Sequence, residues 1–233
     1  MNIKNIVYML GALLFFLGLT MVLPLFWSVY YGEGDFQALL LSLIITSTVG
    51  AVLYRIFKPS DRSIGLNHKE GFLIVALGWF LAAAFGSLPY LLQGVVSNFG
   101  DAFFESVSGF TTTGATILVN IEHVPHGILF WRSLTQWLGG MGIIILSMAI
   151  LPLLGVGGMQ LYKAELPSPV KDKLTPRVAE TARTLWVVYV VISTIEFVLL
   201  LVGGMDIFDA LCHTFTTMAT GGFSTSNAGI AGF

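Results

Sequence analysis

Charge is what this sequence has least of. Lysine and arginine number 11 and aspartate and glutamate 13 in 233 residues, so 10% of side chains are charged against 55% hydrophobic. Soluble domains carry about 25% charge. The shortage, with a mean hydropathy of +0.84, excludes a water-solvated surface over most of the molecule and leaves lipid as its surroundings. A net charge of −2 removes any electrostatic case for nucleic acid. The single cysteine, Cys212, excludes an internal disulfide and reads as a small packed residue. The sequence also lacks G-x-x-x-x-G-K-[ST], G-x-G-x-x-G, H-E-x-x-H and G-x-S-x-G. No organic cofactor and no enzyme chemistry are expected. Energy for any directed process must come from an ion gradient or a partner.

What the chain has instead is long apolar runs. A bilayer core of about 30 Å needs about 20 such residues as helix. Five segments qualify: Ile6–Tyr30, Phe36–Phe57, Gly71–Leu92, Gly127–Leu154 and Leu185–Val202. The N-terminal run has no small-residue cleavage site before a polar domain, so it reads as a retained span. Pro24 and Pro89 are expected near span ends, where a missing N–H costs little, and Pro152 is expected to end the fourth span. Basic residues fall in alternate loops: Lys4, then Arg55, Lys58, Arg62 and Lys69, then Lys163, Lys171, Lys173, Arg177 and Arg183. The positive-inside rule makes that side, with the N-terminus, cytoplasmic. Glu33, Asp35, Asp101, Glu122, Asp206 and Asp209 fall on the outer side.

Two outer segments are one device written twice. Asp101–Thr116 reads DAFFESVSGFTTTGAT and Asp209–Ser224 reads DALCHTFTTMATGGFS, at a constant offset of 108 residues. Asp101, Ala102, Thr112 and Gly114 meet Asp209, Ala210, Thr220 and Gly222. The helical part of each is about ten residues, roughly 15 Å, and so re-entrant rather than spanning. Non-helical backbone at membrane depth is tolerated only where protein buries it or water reaches it. The Thr/Gly loops are therefore expected to line a wet cavity. Consecutive backbone carbonyls can replace an ion's hydration shell there. Gly114, Gly221 and Gly222 supply the positive-φ freedom this demands. Thr111, Thr112, Thr113 and Thr220 are expected to anchor the loops through hydroxyls turned from the axis. The helix C-terminus favours a cation, and Asp101 and Asp209 are expected to cap the N-termini.

The runs FFESVSGFTTTGAT, WRSLTQWLGGMGIIIL, LPLLGVGGMQLYKAELPSP and TFTTMATGGFST resemble the membrane subunit of the bacterial Trk potassium uptake systems, of the Trk/Ktr/HKT superfamily, over nearly the whole chain. That resemblance implies an all-α membrane protein of helix–pore loop–helix repeats preceded by two extra transmembrane helices. Residues 1–60 would be the extra helices, 61–160 the first repeat, 161–184 a cytoplasmic linker, and 185–233 an incomplete second repeat ending after its filter loop. The family's filter glycines map onto Gly114 and Gly222, and glycine at the first goes with potassium preference. The implied filter is Thr112, Thr113, Gly114, Thr220, Gly221 and Gly222. K⁺, the transported ion, would sit at Thr112, Thr113, Thr220 and Gly221, with Thr111, Ala219 and Glu105 in support. The implied activity is potassium uptake across the bacterial inner membrane as part of a four-repeat protein. The implied partners are a cytoplasmic nucleotide-binding regulatory ring at the Gly155–Pro176 loop and a second complete pore in a homodimer. Two of four repeats cannot enclose an ion, so the chain is expected to be a portion of a longer protein.

Other readings compete. A secondary transporter would alternate access around a midplane solute or Na⁺ site. An intramembrane hydrolase would pair Ser106 or Ser108 with a base, yet His213 aligns with Glu105, not with a base position. Glu196, inside the fifth span, is expected to hydrogen-bond a neighbouring helix rather than line an ion path. Glu105 is expected to support its loop. Arg132 is expected to snorkel to the interface, the other possibility being a pair with an acid near the pore loop. Gly139, Gly140 and Gly142 are expected to let another backbone approach.

Overall fold

Backbone in lipid has no water to bond, so apolar runs must close their hydrogen bonds internally as helices. The structure, a computed structural model, describes residues 2–59, 68–150 and 174–233. Its helices are α1 (Ile3–Thr20), α2 (Val22–Tyr31), α3 (Phe36–Ile56), α4 (His68–Gly86), α5 (Leu88–Gln93), α6 (Phe99–Phe110), α7 (His126–Ile150), α8 (Leu174–Val202) and α9 (Ile207–Met218). Among the described residues there is no strand. Four helical stretches among them are long and apolar enough to cross a membrane: Ile3–Tyr31, Phe36–Ile56, Lys69–Gln93 and Glu180–Val202. The chain is an all-α, multi-pass membrane protein.

The fifth expected span is α7, which differs in character. Arg132, Ser133, Thr135 and Gln136 lie on it and are all 2% exposed or less. Its polar half is enclosed by protein rather than lipid, against α2, α6, α8 and α9. Ile128, Leu129, Phe130, Trp131 and Leu134 of the same helix form the centre of the core with Leu14, Met21, Leu39, Tyr90 and Phe208. Helix α8 starts at Leu174, inside the stretch expected as linker. Pro152, Arg62, Lys163, Lys171, Lys173 and positions 155–173 of the loop expected to meet a regulatory ring lie outside the described residues.

Pro89 lies near the end of its span, as expected, and Pro24 further inside, each in the first turn of a short helix where its missing N–H costs little. The span Ile3–Tyr31 is broken at Met21, just before Pro24, and Lys69–Gln93 at Ser87, just before Pro89. Proline lacks the donor for the previous turn and its ring clashes there. The backbone freed at the second break is met from outside: Trp131, fully buried, donates its Nε1–H to the Gly86 carbonyl at 2.9 Å. That bond fixes α7 against the segment leading into α6. Where α2 ends and α7 begins, Glu33 accepts from the His126 backbone N–H at 2.6 Å and meets its Nδ1 at 2.8 Å, while the His126 ring stacks on Tyr31 at 3.7 Å.

Candidate functional site

Helices α6 and α9 have 12 residues each, about 18 Å of rise, too short to cross a bilayer. Their caps lie three residues before the expected ones. Asn98 Oδ1 accepts from the Asp101 N–H at 2.9 Å, and Asp206 Oδ1 from the Asp209 N–H at 2.9 Å. Asp101 and Asp209 are thus capped residues of the first turn, where an acid still suits the helix dipole. Ala102 and Ala210, one residue on, are both fully buried.

The two C-termini repeat each other bond for bond. Thr112 N–H reaches Gly109 O at 3.0 Å and Thr113 N–H reaches Ser108 O at 2.9 Å; Thr220 N–H reaches Thr217 O and Gly221 N–H reaches Thr216 O, both at 2.8 Å. This is a Schellman closure, which needs a left-handed residue after the helix and normally uses glycine. Here threonine takes it, with φ of 55° at Thr112 and 54° at Thr220. Left-handed backbone in a β-branched residue is an outlier. Gly114 and Gly222 follow at φ 76° and 78°. Gly221 departs from the expectation. It is not among the positive-φ residues, and its lack of a side chain instead makes room for Gln136, which a Cβ there would strike.

The loops face one another. A Cβ on Gly114 would collide with the Gly221 carbonyl oxygen, so the first glycine and the second loop's backbone are in contact. Thr111 donates its hydroxyl to Val107 O at 2.7 Å and lies 2.7 Å from the Thr113 hydroxyl. Ala219, 6% exposed, packs on α7, where a Cβ at Gly140 would stand 3.0 Å from its own. A Cβ at Gly139 would strike the Phe110 carbonyl, and one at Gly142 would come 3.2 Å from Trp79. Gly139 and Gly140 admit a neighbouring backbone, as expected, whereas Gly142 makes room for the Trp79 side chain.

Behind the loops lies a buried polar strut. Glu105, fully buried, accepts from the Thr116 hydroxyl at 2.9 Å, the Ile117 N–H at 3.1 Å and Arg132 Nε at 2.7 Å. Arg132 is 1% exposed, so it does not snorkel. It donates through Nη1 to the Ser224 carbonyl at 2.9 Å and sits 3.6 Å over the Phe223 ring. A paired carboxylate with further acceptors is a better solution for a long buried cation than the interface. Gln136, one turn along, accepts from the Phe223 N–H at 3.2 Å. Sequence reading missed Gln136; its only signal is spacing, since residues four apart on a helix share a face. Outside the strut, Glu122 accepts from the Asn227 N–H at 2.7 Å and the Ser226 hydroxyl at 3.1 Å, and the Ile121 N–H donates to Asn227 Oδ1 at 3.1 Å. The bonds from Asn227 and Ser226 hold the Glu122 carboxyl below the usual carboxylate range.

His213 holds Glu105's place in the second copy and is buried at 3% exposure. Its Nε2 and the hydroxyls of Ser106 and Ser108 have no hydrogen-bond partner, so no serine–histidine pair forms. Glu196 is half-buried and meets the Thr217 hydroxyl of α9. Among the described residues no group of three or more His, Cys, Asp or Glu could hold a metal ion. Backbone carbonyls and threonine hydroxyls are what the site offers a cation.

Two short helices ending in matched loops stand among helices long and apolar enough to cross a membrane. The family model described as TrkH, a cation transport protein, matches residues 36–233, and the chain belongs to that family. It is 46% identical over 235 residues to the Trk system potassium uptake protein TrkH of Halomonas elongata, covering 100% of this chain and 48% of that protein. It is 45% identical over 236 residues to the protein of the same name from Escherichia coli K12, with the same coverage. The crystal structure of the potassium transporter TrkH from Vibrio parahaemolyticus superposes with a TM-score of 0.87 at 38% identity, over 100% of this chain and 46% of that one. The chain thus spans about half the length of the relatives it matches.

Proposed function

We propose that this chain contributes two of the filter loops of a potassium uptake pathway. The carbonyls of Thr112, Thr113 and Gly114, and of Thr220, Gly221 and Gly222, are the groups that replace water around K⁺. The relatives' printed names supply the ion. The observation that carries the reading is the backbone match at an offset of 108: the same Schellman closure, the same left-handed threonine, the same left-handed glycine. A left-handed pair separated by one residue turns successive carbonyls toward one side, which a plain polar turn does not need. The strain in Thr112 and Thr220 supports it, because strained backbone collects at sites that hold a ligand. The pathway lies in the bacterial cytoplasmic membrane with the N-terminus inside, as the alternating basic loops require. Its partners are a cytoplasmic nucleotide-binding regulatory ring and a second copy of the complete pore.

The test uses the full-length protein in liposomes. Rb⁺ uptake should compete with K⁺ and ignore Na⁺. Gly114→Ser should admit Na⁺ or abolish uptake, because its Cβ must displace the Gly221 carbonyl. Wild-type flux and selectivity in that variant would sink the assignment.

A further inference from the structure

A narrow carbonyl site selects an ion only if its walls keep their spacing, so something must hold the two loops at a fixed separation. The loops themselves meet where Gly114 lies against the Gly221 carbonyl. A buried ion pair joins the segments that follow the two glycines. Glu105 is in α6, the helix of the first copy, and grips Thr116 and Ile117, two and three residues past Gly114. Arg132 is in α7 and grips Phe223 and Ser224, one and two residues past Gly222. The two are joined by the 2.7 Å bond from Nε to Glu105. Both are sealed from water, at 1% and 0% exposure.

Resting on the filter reading above, we propose that Arg132 is a positioning residue for selectivity: its guanidinium, held by Glu105, sets the distance between the first and second filter loops. The side chain touches no ion in this role. It uses three features that only arginine combines: an Nε–H for the carboxylate, a separate Nη–H for the Ser224 carbonyl, and a flat face for the Phe223 ring. A lysine keeps the charge and can meet one partner or the other, but its point charge cannot span all three. The pair's burial makes the link stiff, since neither partner can exchange its contacts for water. Thr116, Ile117, Phe223 and Ser224 then move as one unit.

Full-length protein in liposomes is compared as wild type, Arg132→Lys and Glu105→Gln, each normalised to folded protein by gel filtration. The reading is the ratio of Rb⁺ uptake without and with excess Na⁺. Arg132→Lys should lose at least about fivefold in discrimination, the lower end of energetic coupling between sites, while more than half of the protein remains folded. A part played in folding alone would lower the amount of protein and leave the ratio untouched. Glu105→Gln keeps the shape and removes the charge that holds the guanidinium, and should shift the ratio in the same direction. It serves as the reading if Arg132→Lys does not accumulate. A wild-type ratio in whichever variant accumulates overturns the proposal. Gly114→Ser, run alongside, separates the two levels. If it shifts the ratio and the strut variants do not, only the strut is wrong. If it too leaves the ratio unchanged, the filter reading itself fails.

Discussion

Threonine at 112 and 220 is the residue-scale puzzle. A left-handed L-residue costs about 1–2 kcal/mol, and a neighbouring position with glycine shows that the sequence could have avoided it. Thr112→Gly and Thr220→Gly should therefore leave stability unchanged or raise it by about 1 kcal/mol in a detergent unfolding titration. The same variants should slow uptake, because the loop loses the side chain that stiffens it. Glu122 gives a prediction in pH. Hydrogen bonds from Asn227 and Ser226 lower its folded pKa from 4.5. A lowered carboxylate contributes stability above its unfolded pKa and loses it as pH falls through the folded value. Exchange protection of the Asn227 amide, corrected for intrinsic rate, should stay constant above about pH 5 and fall below about pH 4. Glu122→Gln should abolish that dependence. Arg132 shows what sequence hides at this scale. An arginine at an outer helix start reads as an interfacial anchor, and its acceptors are 27 and 92 residues away. No local pattern announces contacts of that separation.

At the scale of elements, the two short helices were legible because length decides whether a helix can cross a bilayer. Their starts were misread by three residues. Aspartate is favoured both at the cap and in the first turn, so the matched Asp101 and Asp209 drew attention from Asn98 and Asp206, which differ in type. Asn98→Ala and Asp206→Ala should each cost about 1 kcal/mol in reversible unfolding, with Asp101→Ala costing less. The prolines hid a break for a related reason. Pro24 and Pro89 break helices whose apolar runs continue through them, and a hydropathy count cannot see the break. Helix α7 was expected as a plain span, whereas its glycines and polar residues make it the wall shared by both loops. Gly139→Leu should prevent α6 from closing on α7 and cost more than about 2 kcal/mol, read as lost folded protein.

Across the whole molecule, the sequence was legible where physics is repetitive. Apolar runs set the spans, and a repeat of constant offset exposed the matched backbone of the two loops. The structure added what depends on three-dimensional closure. The loops touch, the strut joins them, and Gly221 owes its identity to Gln136 and not to its φ. The central claim is that Thr112–Gly114 and Thr220–Gly222 face one ion path. Crystals of the full-length protein soaked in Rb⁺ test it directly by anomalous scattering. The account predicts a Rb⁺ peak on the axis between the two loops, within coordinating distance of their carbonyls. A peak beside Glu196, with none at the loops, would contradict it.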